Sequence, residues 1–176
     1  MPPLLIVLAA ILLVMFVLVL VIGAQLSSDY RGTLTHTSSR SAEDVWAVLV
    51  DPKSLSYGGK QCRGVEVLSK EDQPLRWQEN LGQSKFVNAV VEREEGSRFV
   101  TEGKDSVVPM TMRREITLEP AGEHTRVRVS QHIHIDRGTW HVPIFKIVMT
   151  LGAANAGMKD YLRRLAARLQ EAPNVQ

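Results

Sequence analysis

The first 28 residues carry no charged side chain, and the run from Leu4 to Ile22 contains no polar residue at all. As a helix rising 1.5 Å per residue, this run spans roughly 28 Å, close to the ~30 Å hydrocarbon layer of a bilayer. It predicts either one transmembrane helix or a cleaved secretory signal. Signal peptides usually place an apolar stretch of about 7–15 residues after a basic segment. Here the run is longer and only Met1, Pro2 and Pro3 precede it, which favours a retained anchor at residues 4–22.

The charges that flank this segment predict its orientation, because cytoplasmic flanks carry an excess of Lys and Arg. The N-terminal flank has neither, whereas Arg31 and Arg40 follow the segment. We therefore expect a single-pass membrane protein whose domain lies in the cytoplasm. Cys62 is the only cysteine, so no intramolecular disulfide can form and no oxidising compartment is implied.

The rest of the chain is long enough for one domain with its own core. All 21 basic and 19 acidic residues fall in this part, which gives a formal net charge of +2. A near-neutral domain without a basic stripe does not favour nucleic-acid binding. We expect a monomer divided into an anchor with a short linker (1–28), a ligand-binding domain (29–170) and a frayed tail (171–176).

Periodicity predicts the order of helices and strands in this domain. A Thr-rich strand at 30–37 leads to a helix that is N-capped by Ser41 and stopped by Asp51-Pro52. From Pro143 onwards, apolar residues recur at helical spacing over about 26 residues. Between the helices lie strand-like runs at 65–68, 75–79, 85–92, 98–102, 110–119 and 125–135. Turn signals separate these runs, for example at 71–74.

Two segments resemble a known family. Residues 35–52, Thr-His-Thr-Ser-Ser-Arg-Ser-Ala-Glu-Asp-Val-Trp-Ala-Val-Leu-Val-Asp-Pro, are similar to the opening of the START-like superfamily of polyketide cyclase/dehydrase and lipid-transport proteins, where a strand leads to a helix with a Val-Trp pair. Residues 114–129 resemble the late hairpin of that family. The resemblance covers about 30–170. It implies an α+β helix-grip fold, in which a curved antiparallel sheet wraps around a long C-terminal helix and leaves a cavity between them, here preceded by one transmembrane helix.

The late hairpin is the most informative part of the domain. With a loop at 121–124, the sequence pairs Met110 with Ile135, Met112 with Ile133, Arg114 with Gln131, Ile116 with Val129 and Leu118 with Val127. Because side chains alternate between faces along a strand, all these residues share one face, and the face is apolar except for Arg114 and Gln131. We expect it to be the inner face.

An arginine beside a glutamine on an apolar inner face needs an explanation, because a buried guanidinium without partners is costly. One hypothesis is that Arg114 and Gln131 meet the polar head or carboxylate of a ligand. The alternatives are that Arg114 pairs with an inward acid such as Glu79, or that a bulge turns it to solvent. The predicted ligand-binding residues come from the hairpin, an earlier strand and the closing helix: Arg114, Gln131, Met110, Met112, Ile116, Val129, Ile133, Trp77, Glu79, Leu151 and Met158.

Other patterns are weaker. His132, His134 and Asp136 share a strand face, but it is the outer one, so we interpret them as a solvated surface and predict no metal site. No serine or cysteine has the setting of a nucleophile, and we predict no cofactor. Gly152 and Gly157 interrupt the closing helix at a cost of roughly 1 kcal/mol each relative to alanine. Either the helix packs closely on the sheet there or it leaves room for a ligand.

Three functions remain open from the sequence. The first is a membrane-tethered binder or carrier of a lipid or other lipophilic small molecule. The second is a cyclase- or dehydratase-type enzyme that uses the same cavity. The third is an interaction module with a filled core. An enzyme is expected to place two or more titratable groups in its cavity. Only Arg114, with Glu79 as a possible second group, meets this description, so binding is favoured over catalysis.

Overall fold

The computed structural model describes residues 3–70, 73–173 and 175. A long apolar helix precedes a domain in which a helix, a run of strands and two further helices follow one another. The elements are α1 (Pro3–Gln25), β1 (Asp29–Ser38), α2 (Ala42–Val50), β2 (Gly64–Val67), β3 (Arg76–Asn80), β4 (Lys85–Glu94), β5 (Arg98–Asp105), β6 (Met110–Ala121), β7 (His124–Ile135), α3 (Val142–Val148) and α4 (Ala154–Arg168). The predicted turn at 71–74 falls partly outside the described residues.

The described strands, seven in all, form one antiparallel sheet in the order β1-β7-β6-β5-β4-β3-β2. The chain crosses from one edge to the other between β1 and β2, and every later strand pairs with its predecessor. The sheet curves around α4 and is open. These features confirm the predicted α+β helix-grip fold.

The late hairpin has the predicted register. Arg114 pairs with Gln131, Ile116 with Val129, and the strands meet at a turn between Ala121 and His124. Alternate residues of β6 and β7 are buried, so the face that carries Arg114 is the inner one, as predicted. The bulge in the sheet lies in β4 at Val90/Glu92 and leaves the direction of Arg114 unchanged.

Local sequence explains α2. The Ser41 hydroxyl accepts the backbone N–H of Asp44 at 3.1 Å, which caps the helix as predicted, and Glu43 and Asp44 lie in the first turn where the helix dipole favours acids. Val45, Trp46 and Leu49 are its buried residues. The helix ends at Val50, immediately before Asp51-Pro52.

The closing segment differs from the predicted continuous helix of about 26 residues. α3 ends at Val148, a π-helical turn follows over Met149–Ala153, and α4 begins at Ala154. Gly152 has φ = 103°, a left-handed conformation that glycine adopts without a steric penalty. The kink separates α3, which contacts α1, from α4, which covers the sheet.

The sheet and α4 approach closely through a glycine of the strand. A Cβ at Gly32 in β1 would lie 2.7 Å from the side-chain oxygen of Asn155. By contrast, a Cβ at Gly152 or Gly157 would meet no atom of the described chain within 4 Å. Neither of these two glycines is therefore required for close packing of the helix on the sheet.

Two apolar clusters form the core. The larger one lies between α2, α4 and the middle of the sheet, and includes Phe99, Tyr161 and Leu162. The smaller one lies below α3 and comprises Phe86, Met112, Ile133, Ile135 and Val142. Tyr57, in the loop after α2, packs against both, so the boundary between the clusters lies beside this residue.

The C-terminal residues make contacts that differ from the predicted frayed tail. The Glu171 carboxylate accepts hydrogen bonds from the Ser38 hydroxyl at 3.0 Å and the Ser39 backbone N–H at 2.7 Å. Val175 forms a bridge with His36. Residues 174 and 176 of the predicted tail lie outside the described residues.

The N-terminal helix is exposed over most of the run from Leu4 to Ile22, with Val19 and Leu20 half-buried. Its length and apolar composition match those of a membrane span, and a signal sequence has the same properties.

Candidate functional site: a pocket between the sheet and the kinked helix

A pocket of about 220 Å³ lies between the inner face of the sheet and the kinked C-terminal segment. Its apolar wall comes from β4, β6, β7, the β3–β4 turn and the π-helical turn: Leu81, Phe86, Met110, Met112, Ile133 and Met149. Its polar groups are Arg114, Gln131 and Tyr57. Leu81, Met110 and Met149 are half-buried, so the pocket reaches the surface at their side.

Arg114 is the charged residue of this wall, and it is 4% exposed. Its guanidinium carbon lies 3.9 Å from the ring centre of Tyr57 and 4.5 Å from that of Tyr161, distances at which a cation is attracted to an aromatic ring. Its Nε donates to the Gln131 side-chain oxygen at 3.1 Å, and Nη2 donates to the same oxygen. Nη1 is buried and has no hydrogen-bond partner in the described chain.

Glu79 is fully buried and serves the loop after α2. Its carboxylate accepts the backbone N–H groups of Tyr57 at 2.9 Å and Gly58 at 2.8 Å. It also accepts the Trp77 indole N–H at 3.2 Å and the Asn88 amide at 3.4 Å. These four donors occupy the carboxylate, and no ion pair joins it to Arg114 within the described residues. Arg114 therefore does not form the predicted alternative ion pair with Glu79.

The two tyrosines beside Arg114 remain neutral phenols. Burial raises the pKa of Tyr57 above its ordinary value, although the nearby Arg114 charge opposes this. Burial also raises the pKa of Tyr161 far above its ordinary value, and the neighbouring Tyr57 adds to the shift. The Tyr57 hydroxyl shares a hydrogen bond of 2.7 Å with the Thr101 hydroxyl. At neutral pH both tyrosines hold their protons, so neither is a general base.

The structure brings five of the predicted ligand-binding residues together in the pocket wall: Met110, Met112, Arg114, Gln131 and Ile133. Alternation along the hairpin predicted that they lie on the inner face. Other residues of that face, such as Ile116 and Val129, pack in the core and do not line the pocket.

The other predicted residues lie elsewhere. Ile116, Val129 and Met158 are at most 1% exposed and belong to the larger core cluster. Trp77 is buried next to Glu79, and neither belongs to the described pocket wall. Leu151 is 81% exposed. It differs most from its prediction, because the π-helical turn and the Gly152 kink rotate it away from the sheet.

Several pocket residues were not predicted. Tyr57 and Gly58 come from a loop that the sequence marks only as turn-rich, and Phe86 comes from β4. Ala153, Ala154 and Gly157 complete the helical wall. For Gly157 the sequence left two alternatives, close packing on the sheet or room for a ligand, and its place in the wall fits the second. For the loop, no sequence signal indicated contact with Arg114.

The outer face of the sheet carries charge instead of a closed site. A larger hollow there, about 430 Å³, is lined by Arg31, Arg113 and Glu115 among others, and Arg113 lies in an ion-pair network with Glu92 and Glu102. Nearby, the Asp29 carboxylate contacts His132 at 2.7 Å and His134 at 3.0 Å, and these hydrogen bonds lower the pKa of Asp29. No cluster suited to a metal ion occurs among the described residues.

A family model described as polyketide cyclase/dehydrase and lipid transport matches residues 31–172. The chain belongs to this family. The match begins in β1 and ends after α4, so it covers the helix-grip domain and leaves out α1. Members of the family bind apolar small molecules, and ligand-binding and cyclase-type roles are both consistent with membership. A comparison with curated proteins finds no match.

Several solved structures share this fold. A START superfamily protein from Mycobacterium smegmatis superposes with a TM-score of 0.60 at 17% identity, covering 80% of this chain and 97% of that chain. Protein TTHA0849 from Thermus thermophilus has a TM-score of 0.61 at 17% identity, covering 81% and 97%. Protein CV1439 from Chromobacterium violaceum gives 0.58 at 16% identity, covering 82% and 99%. At these identities the likeness concerns the fold.

Proposed function

We propose that this START-like protein binds or carries a small lipophilic molecule with an acidic or hydrogen-bond-accepting head, and that α1 tethers it to a membrane with the domain on the cytoplasmic side. The observation that carries the proposal is the Arg114 guanidinium, which lines an apolar pocket while its Nη1 has no partner. A buried donor left unpaired costs about 1–3 kcal/mol. A ligand oxygen at Nη1 recovers this cost.

The surroundings of Arg114 support a binding role because they fix the guanidinium without neutralising it. The rings of Tyr57 and Tyr161 both lie within 4.5 Å of the guanidinium carbon, and Gln131 occupies the Nε–Nη2 edge with a neutral acceptor. The charge therefore has no counter-ion among the described residues. A guanidinium presents paired donors that match a carboxylate, so we expect acidic heads to be preferred over alcohols.

The size of the pocket limits the ligand. About 220 Å³ is below the ~300–1,000 Å³ of typical small-molecule sites. A short-chain or monocyclic amphiphile fits this volume. A long-chain lipid requires α3 and the π-helical turn to move outward, and the left-handed Gly152 marks where such a movement would occur.

The arrangement favours binding over the cyclase-type alternative. Proton transfer requires a group that titrates near the working pH within reach of the substrate. Tyr57 holds its proton at neutral pH, and Glu79 is occupied by four donors. The alternative of a filled core describes the larger cluster well, but the pocket interrupts the packing next to the smaller one.

The test is calorimetric titration of the full chain in lipid nanodiscs with octanoate and with 1-octanol, using empty nanodiscs as the reference. Octanoate should bind more tightly than octanol. Arg114→Met should weaken octanoate binding by about 1.5–3 kcal/mol, roughly 10–150-fold, the range for a hydrogen bond to a charged group. Octanol binding should change little, because the apolar wall remains.

Arg128→Met is the matched control, since Arg128 lies on the outer face of the same hairpin with its side chain 48% exposed. It should change neither affinity. If Arg114→Met fails to fold, Arg114→Lys keeps the charge but loses the planar fork and should give an intermediate loss. Equal losses for octanoate and octanol, or no binding by the wild-type chain, would refute the proposal. Native mass spectrometry of the protein purified from cells would then look for the natural ligand.

A further inference from the structure

The C-terminal end of α1 packs against α3. A Cβ at Gly23 would lie 2.6 Å from the carbonyl carbon of Pro143, so the two helices touch backbone to backbone. The buried Lys146 ammonium donates to the Leu26 carbonyl at 3.1 Å. The Tyr30 hydroxyl lies within hydrogen-bond distance of both the Lys146 carbonyl oxygen, at 3.0 Å, and the Ser27 carbonyl oxygen, at 2.7 Å. α3 therefore has a fixed place beside the last turns of the apolar helix.

This contact extends along the apolar part of α1. The ring centres of Phe16 and Trp140 are 6.5 Å apart. Phe16 lies six residues before Ile22, the end of the apolar run, which corresponds to about 9 Å along the helix axis. If α1 spans a bilayer and Ile22 marks the edge of the hydrocarbon, the Trp140 ring beside Phe16 lies just inside that edge. Tryptophan is enriched near the membrane–water interfaces.

The segment around α3 also has the surface expected of a membrane contact. Residues 138–158 contain one charged residue, Lys146, and its charge is directed to Leu26. Trp140 is 69% exposed, Val148 46% and Leu151 81%. Large exposed side chains of this kind, grouped beside an apolar helix, indicate an interaction surface.

The opposite side of the same segment forms the wall of the pocket. Met149, Ala153 and Ala154 line it, while Val148 and Leu151 face outward. Gly152 stands between these two sets with φ = 103°. The segment thus presents one side to the pocket and the other to the outside of the protein.

We propose that residues 138–153 lie in the interfacial layer of the membrane that holds α1 and form the portal through which an apolar ligand passes between the bilayer and the pocket. This inference rests on the proposed function, because it takes α1 as a retained anchor and the pocket as the binding site. The partner is the lipid surface itself.

The test uses the full chain with Cys62→Ser in phosphatidylcholine vesicles. An environment-sensitive fluorophore is attached at Leu151→Cys, or at Glu123→Cys in the exposed β6–β7 turn as the control. Lipids brominated on their acyl chains should quench the fluorophore at position 151 and leave that at 123 unaffected, whereas aqueous iodide should do the reverse. Iodide quenching at both positions, without bromolipid quenching at 151, overturns the inference and leaves the pocket proposal intact.

A second measurement tests the portal. Val148→Asp/Leu151→Asp should slow the transfer of octanoate from vesicles to the protein about a hundredfold, because each of the two apolar side chains withdrawn from lipid costs about a factor of ten. Octanoate affinity in detergent should stay at the wild-type value, since neither side chain lines the pocket. An unchanged transfer rate overturns the portal. Absence of octanoate binding in detergent overturns the proposed function as well.

Discussion

The contact between Arg114 and Gln131 provides a quantitative test of how the inner face of the sheet is built. Both side chains are buried, at 4% and 7% exposure, and the Gln131 oxygen is the acceptor for two guanidinium donors. The perturbations are Arg114→Met, Gln131→Leu and the two together. Each replacement is apolar and similar in size to the residue it replaces, so the comparison isolates the hydrogen-bonded contact.

The structure sets the expected magnitudes. Arg114→Met leaves the Gln131 amide without its donors, which costs about 1–3 kcal/mol for a buried unpaired group, while the thioether still packs against Tyr57 and Tyr161. Gln131→Leu leaves a buried cation without its acceptor and should cost more, about 3–5 kcal/mol, because the penalty for a buried unpaired group is larger when the group is charged. The double replacement removes both polar groups and should be nearly neutral, because neither is left unpaired.

The assay is thermal unfolding of the full chain in a mild detergent, followed by tryptophan fluorescence, to which the buried Trp46 and Trp77 contribute together with the exposed Trp140. For a chain of this size about 1 kcal/mol shifts Tm by roughly 2–4 °C. Arg114→Met should therefore lower Tm by about 2–12 °C and Gln131→Leu by about 6–20 °C, with the double variant above both. If the losses of the two single variants simply add in the double variant, the residues are energetically independent and the reasoning is wrong.

Burial tends to raise the pKa of Glu171, but hydrogen bonds from Ser39, Ser38 and His36 outweigh it and lower this pKa. Because the pKa is lower in the folded than in the unfolded protein, the ionised carboxylate stabilises the fold above the unfolded pKa, and acidification removes this stability. Tm should therefore fall as pH drops below about 4.3, and it should fall less in Glu171→Gln. α1 should be retained: the protein should resist carbonate extraction and sequence from its original N-terminus, whereas a soluble product that begins near Gln25 would show cleavage. An export-dependent reporter fused after Gln176 should be inactive if the domain is cytoplasmic, and its activity would reverse the topology. Residues 26–176 alone should give a monomer with a cooperative melt and a mixed helix and strand spectrum; this cut keeps the Ser28 carbonyl that accepts the Ile135 N–H at 2.8 Å, and a non-cooperative melt would place α1 in the core.

Local patterns were enough to predict the late hairpin residue by residue. Alternation defines which residues share a face, and a short turn fixes the register, so Arg114 opposite Gln131 followed from the sequence. The Ser41 cap and the Asp51-Pro52 stop are also local, because each acts within one turn of the helix. The apolar run at 4–22 likewise defined α1 by length alone.

The kink at Gly152 was not predictable from periodicity. Apolar residues continue at helical spacing on both sides of it, so the sequence resembles one helix. A glycine in such a run is compatible with a helical or a left-handed conformation. In the packed structure α3 lies against α1 through Gly23 and Pro143, Gly152 is left-handed and Leu151 is exposed.

The environment of Arg114 was decided by tertiary structure. Its two aromatic neighbours come from positions 57 and 161, and Glu79 is held by backbone groups of the loop that carries Tyr57. Sequence patterns report which face a side chain occupies, because that depends on near neighbours along the chain. They do not report which distant side chains share that face, since this depends on how the loop, the sheet and the kinked helix pack together. The alternation of the hairpin therefore determined that Arg114 points inward, and only the packed structure decided that it meets two rings and one amide and leaves Nη1 unpaired.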